Sequence, residues 1–201
     1  PMTQLISADE ALKSFDDLTK DSLLIAASSR VHKGLVALAK ELKAEKAAAG
    51  VHSQLKENGV RTAGCDLYVL PGFDAGRIRN SVLSGVVILG PFKGDVKIPG
   101  GGSAPCGIDG ACLTDCAVLG ENLIRNVAVM SKVIVERGAV VIGCDIIAGK
   151  EGSTFGCGQE LPIAIETGGR EVAVFAEITV PVASAVAGRR AEKDFLKAYG
   201  Q

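Results

Sequence analysis

The sequence contains no tryptophan, and aromatic residues make up only 4% of its 201 positions. Large rings therefore cannot fill its core, and Val, Ile, Leu and Ala must do so. A narrow interior lined by repeated small and branched side chains suits that supply better than an ordinary sandwich. An excess of charge of one sign is missing as well. Lys and Arg total 22 against 23 Asp and Glu, so nothing in the balance points to nucleic acid or an anionic membrane. No apolar run reaches the roughly 18–20 residues of a membrane span, so no membrane partner is expected. The polar start Pro1-Met2-Thr3-Gln4 lacks secretory character. Pro1 ahead of Met2 reads as an expression scar rather than a native start. The six cysteines are expected to be free thiols of a soluble, cytoplasmic protein.

What is present is apolar and glycine-rich: 47% hydrophobic residues and 25 glycines, enough for a real core. The first part reads as helical. Asp9–Leu18 predicts a weak helix. Asp21 then caps a stronger one from Ser22 to about Ala49, with Leu23, Leu24, Ala27, Val31, Leu35, Leu38 and Leu42 at helical spacing. Lys40, Lys43 and Lys46 occupy its other face, which reads as solvated. From Val60 the pattern turns to short β-rich runs, Asp66–Leu70, Ser81–Leu89 and Asp95–Ile98, punctuated by Gly and Pro. Pro99–Pro105 reads as a loop too flexible to be a strand. Ser184–Tyr199 predicts an amphipathic C-terminal helix.

Between Ala111 and Lys150 the chain falls into sixes. These are Ala111-Cys-Leu-Thr-Asp-Cys, Ala117-Val-Leu-Gly-Glu-Asn, a four-residue irregularity Leu123-Ile-Arg-Asn, then Val127-Ala-Val-Met-Ser-Lys, Val133-Ile-Val-Glu-Arg-Gly, Ala139-Val-Val-Ile-Gly-Cys and Asp145-Ile-Ile-Ala-Gly-Lys. The third position of each full unit is aliphatic, and the first is small or β-branched in all but one. Six residues make one flat strand and a corner, and three such units close a triangular coil that stacks on the next at about 4.8 Å. The third position is expected to point inward, and the first must be slim to fit beside a corner. Ser81-Val-Leu and Val87-Ile-Leu-Gly fit the same phase, so the stack is expected to begin near residue 78, with Phe92–Pro105 as an excursion. The expectation is a mainly β chain, a left-handed parallel β-helix at 60–182 between an N-terminal α-helical hairpin region at 1–59 and a C-terminal helix at 183–201.

With these repeats, the sequence resembles the hexapeptide-repeat, left-handed β-helix superfamily that includes trimeric acyltransferases. More narrowly, it resembles an uncharacterised branch of bacteria and protists. The stretches that carry the likeness are Ile78–Gly90, Gly152–Gly158 and Glu166–Val172, within residues 78–175. The resemblance implies a homotrimer. It implies little about chemistry. Acyltransferases of this superfamily use a histidine between subunits as general base, and its γ-type carbonic anhydrases hold a metal with three. This chain has only His32 and His52, both ahead of the repeats. They are expected to be surface or packing residues.

Cys106, Cys112 and Cys116 lie close in sequence, but no CxxC pair exists and the repeat turns Cys112 outward. No metal and no cofactor is expected. Gly-rich loops can cradle an anion on backbone N–H groups. Gly100–Gly102 is one candidate. The better one is Gly168-Gly169-Arg170, where Arg170 adds a charged fork between Glu166 and Glu171. Gly168, Gly169, Arg170 and Glu166 are the candidate ligand residues, for a small-molecule anion or a nucleotide sugar. The expected function is an oligomeric scaffold or ligand-binding module without catalysis in this segment. The alternative is a transferase using an acyl or nucleotide-sugar donor at a subunit interface.

Overall fold

The computed structural model describes residues 13, 17, 20, 22–62, 64–150, 156–162, 171–176, 178–189 and 191–193. The chain divides into two units, Arg30–Glu151, and Pro1–Ser29 with Gly152–Gln201.

The first unit is a parallel β-solenoid of about five turns. Its ladder is built from β2 (Cys65–Val69), β3 (Ile78–Arg79), β4 (Val82–Leu89), β7 (Gly107–Val118), β8 (Leu123–Ser131), β9 (Ile134–Val135) and β10 (Val140–Ala148). β2 pairs with β4, β4 with β7, β7 with β8 and β8 with β10, all parallel. β1 (Glu45–Lys46) closes the N-terminal edge in antiparallel fashion. Its Lys46 Nζ lies 2.8 Å from Asp66 Oδ1, and a charged, two-residue edge strand discourages further pairing.

Three columns of turns divide each coil into three flat sides. One column holds Asn80, Gly110, Asn126 and Gly143. A second holds Gly85, Asp115 and Lys132. All seven have positive φ, between 46° and 65°. Gly120 and Gly138 turn the third corner. Face I is the side carrying residues 67–69, 87–89, 116–118 and 133–135. Face II carries 82–84, 111–114, 127–131 and 144–148. Face III carries 78–79, 107–109, 123–125 and 140–142.

Alternation along each side sends one set of side chains inward. In register, Ile78, Ile108, Ile124 and Val141 stack on face III, and Leu83, Leu113, Met130 and Ile147 on face II. Leu67, Val87 and Cys116, with Val69, Leu89, Val118 and Val135, do so on face I. All belong to one core cluster of aliphatic and small residues, joined by Phe92, the one fully buried ring among the described residues.

The repeat differs from strict sixes in a specific way. Ala111 pairs with Val127, sixteen residues on, as the four-residue irregularity requires; Val127 then pairs with Cys144, seventeen on rather than eighteen. The offset of seventeen holds along the whole of β8 and β10, and a bulge separates β8 from β7. Ala111 to Leu113 spans two steps where Val127 to Met130 spans three. The extra residue pushes Val129 outward, 41% exposed, and Met130 takes the inward place at 1%. The inward third position expected at Val129 is thereby corrected, and Asp145, the first position of its six, faces solvent while Cys144 packs on the core.

Two further expectations change. The helix foreseen from Ser22 to Ala49 is two helices, α1 (Leu23–Lys33) and α2 (Leu35–Glu41), followed by β1, and a further helix, α3 (Ala49–Glu57), begins where it was expected to end. Gly34 at φ 77° breaks the first pair, and Lys43 at φ 55° ends the second. The break lets α2 lie on face I, where Leu38 and Ala39 are buried against Ile88 and Ala117, with Leu35, Leu42, Tyr68 and Ile134 alongside. Pro99–Pro105 is not wholly loop. β6 (Ser103–Pro105) pairs antiparallel with β5 (Asp95–Lys97), so the excursion is a hairpin with a Gly100–Gly102 tip. Phe92 and Val96 are buried and anchor it to the core.

In the second unit, β11 (Glu160–Leu161) and β12 (Val172–Ala173) form an antiparallel pair. α4 (Val180–Gly188) follows, N-capped by Thr179, whose hydroxyl accepts from the Val182 N–H at 3.5 Å. The helix begins four residues before Ser184, because Pro181 fits its first turn, and it ends at Gly188 with Arg189 as its C-cap, so Ser184–Tyr199 is not one continuous helix. Residues 194–201 of the predicted C-terminal helix, and most of the weak helix at Asp9–Leu18, lie outside the described residues.

Candidate functional site

The candidate ligand residues Glu166, Gly168, Gly169 and Arg170 lie outside the described residues. The other sequence candidates are dispersed by the coil. Cys112 is exposed on face II, Cys116 is buried in the face I column, and Cys106 is buried at the base of the β5–β6 hairpin. Among the described residues no group of three His, Cys, Asp or Glu side chains is placed to hold a metal ion.

The buried thiols are also chemically quiet. Burial pushes the Cys116 thiol up against the opposing effect of backbone hydrogen bonds, and its Sγ donates to Thr114 O at 3.2 Å and Met130 O at 3.3 Å. Burial, then the Glu121 carboxylate, pushes Cys106 up, and its Sγ donates to Lys93 O at 3.4 Å. Burial, with Asp66 and Asp115 nearby, raises Cys65 to about 11. A thiol held protonated at neutral pH is a poor nucleophile and a poor metal ligand. His32 sits exposed on α1, and the His52 Nδ1 lies 3.0 Å from Thr62 Oγ1 in a partly buried contact that ties α3 to the first coil.

The surface differs from side to side. Face I is covered by α2. Face III carries the outward column Arg79, Asp109, Arg125 and Ile142, charged until the exposed Ile142 at its end; Asp109 Oδ1 accepts from Asn80 Nδ2 at 3.0 Å. Face II carries Val82, Cys112, Val129 and Ile146, an apolar column across four coils. Val82 is half-buried, Cys112 and Val129 are exposed, and Ile146 is 71% exposed. Ser84 and Thr114 border it with a 2.7 Å hydroxyl contact, and Ser131 continues that edge. Such a flat apolar column does not position a reacting group. It offers dry contact area to another surface.

Sequence reasoning missed this column. The sixes place Val129 inward, and only the bulge at Ala128–Val129 brings it into line with Cys112 and Ile146. The signal that was available is Ile146 itself, a large aliphatic residue at the outward second position of its six.

One buried polar group stands apart. Asn122 is fully buried; its Oδ1 accepts from the Ala139 N–H at 2.8 Å and its carbonyl from the Gly107 N–H at 2.8 Å, while its Nδ2 has no partner. It stands at the corner where the hairpin is inserted into the preceding coil.

No helix among the described residues is long and apolar enough to cross a membrane. No curated protein and no solved structure matches the chain. One family model does match, over residues 46–200, which takes in the sequence from the closing strand β1 through α4; the chain belongs to the family described as Domain of unknown function (DUF4954).

Proposed function

We propose that this chain is an oligomeric β-helix scaffold or ligand-binding module that performs no catalysis in this segment, and that copies associate through face II. The observation that carries the reading is the outward column Val82, Cys112, Val129 and Ile146. It continues over four coils, while α2 covers the outward column of face I and Arg79, Asp109 and Arg125 put charge in three of the four places of that of face III. Left in water, these side chains forgo burial worth roughly 1.5–3 kcal/mol for each large aliphatic residue. A second copy supplies apolar surface of the same kind, and Asp145 is the one charged side chain between Cys144 and Ala148 that it must accommodate. Three copies is the number implied by the resemblance to the trimeric hexapeptide-repeat superfamily. The six free cysteines suit a reducing, cytoplasmic compartment. The three raised thiols fit a supporting rather than a reactive role.

Light scattering coupled to size exclusion tests this. The unaltered chain is expected to run as a trimer, and a Val129→Asp/Ile146→Asp variant as a monomer with an unchanged circular-dichroism spectrum. A wild-type monomer at high concentration overturns the oligomeric reading. A trimer that persists in the double variant overturns face II as its contact surface.

A further inference from the structure

We draw no further inference here: the strongest candidate, the outer edge of β10 with the half-buried Val141, Cys144 and Ile147 along its inner side, is an apolar end of the solenoid without a partner strand among the described residues, and nothing in the structure shows what covers it.

Discussion

Asp115 sits directly over Gly85 on the next coil, and its Oδ1 accepts the Val86 N–H at 2.9 Å through the space a Cβ on Gly85 would fill. The same device recurs at the neighbouring corner. There a Cβ on Gly110 would come within 3.0 Å of Asn126 Oδ1, and one on Gly59 within 3.1 Å of Asn80 Oδ1. At these three corners an Asn or Asp in left-handed conformation leans over the corner of the preceding coil, and a glycine lies beneath it. Asn and Asp tolerate that conformation better than other non-glycine residues.

Gly85→Ala is therefore expected to destabilise the solenoid by about 1–3 kcal/mol or more, from strain at φ 63° plus the overlap with Asp115. Adding Asp115→Gly should return the overlap part and leave the strain. Urea denaturation of the two single variants and the double variant closes the cycle. Costs that add to within about 0.5 kcal/mol would show that the two positions act independently.

Ile124 and Ile146 lie on consecutive coils and face opposite ways, so they should answer truncation differently. Ile124 is fully buried, and Ile124→Ala should cost roughly 2–5 kcal/mol by leaving a cavity in the stacked column. Ile146→Ala should change the stability of the monomer by less than about 0.5 kcal/mol. Equal losses in denaturation midpoint at the two sites would contradict the assignment of inside and outside on β10.

Cys65 makes stability sensitive to alkali. Its thiol is raised from 9.0 to about 11 in the folded chain, chiefly by burial. The folded state thus holds the proton more tightly than the unfolded state. The sign follows from linkage: the contribution is fully present below pH 9 and is lost as pH rises through about 11. The urea midpoint should fall more steeply between pH 9 and 11 in the unaltered chain than in Cys65→Ala. Parallel curves would mean that the thiol titrates as it does in the unfolded state.

Thiol labelling should sort the cysteines by side. In the monomeric Val129→Asp/Ile146→Asp variant the exposed Cys112 is expected to react with a disulfide reagent at neutral pH, while Cys106 and Cys116 wait for unfolding. Mass spectrometry of the labelled peptides reads the order, and early labelling of Cys116 would place its column outside the core.

The anion reading of Glu166, Gly168, Gly169 and Arg170 has its own test. A thermal-shift panel of nucleotide sugars and acyl-CoA is expected to give saturable stabilisation with one ligand, abolished by Arg170→Ala. A shift that survives Arg170→Ala would place the ligand elsewhere, and a flat panel would leave the scaffold reading alone in possession.

The sequence by itself determined that the chain coils. Branched residues repeating from Ala111 to Lys150 bury well only when coil stacks on coil, and that periodicity is written in the order of the residues. It also marked the excursion at Phe92–Pro105, the irregularity at Leu123–Asn126 and the apolar stripe of Leu35, Leu38 and Leu42. Tertiary structure decided the rest. The bulge that exchanges Val129 for Met130 is set by how β8 must register on β7, which no local pattern records. The break at Gly34 acquires its purpose only when α2 has face I to lie on. The pairing of Ser103–Pro105 depends on Asp95–Lys97 folding back beside it. Above all, the apolar column on face II joins residues 30, 17 and 17 positions apart in the chain, and only the stacking of coils brings them into one line.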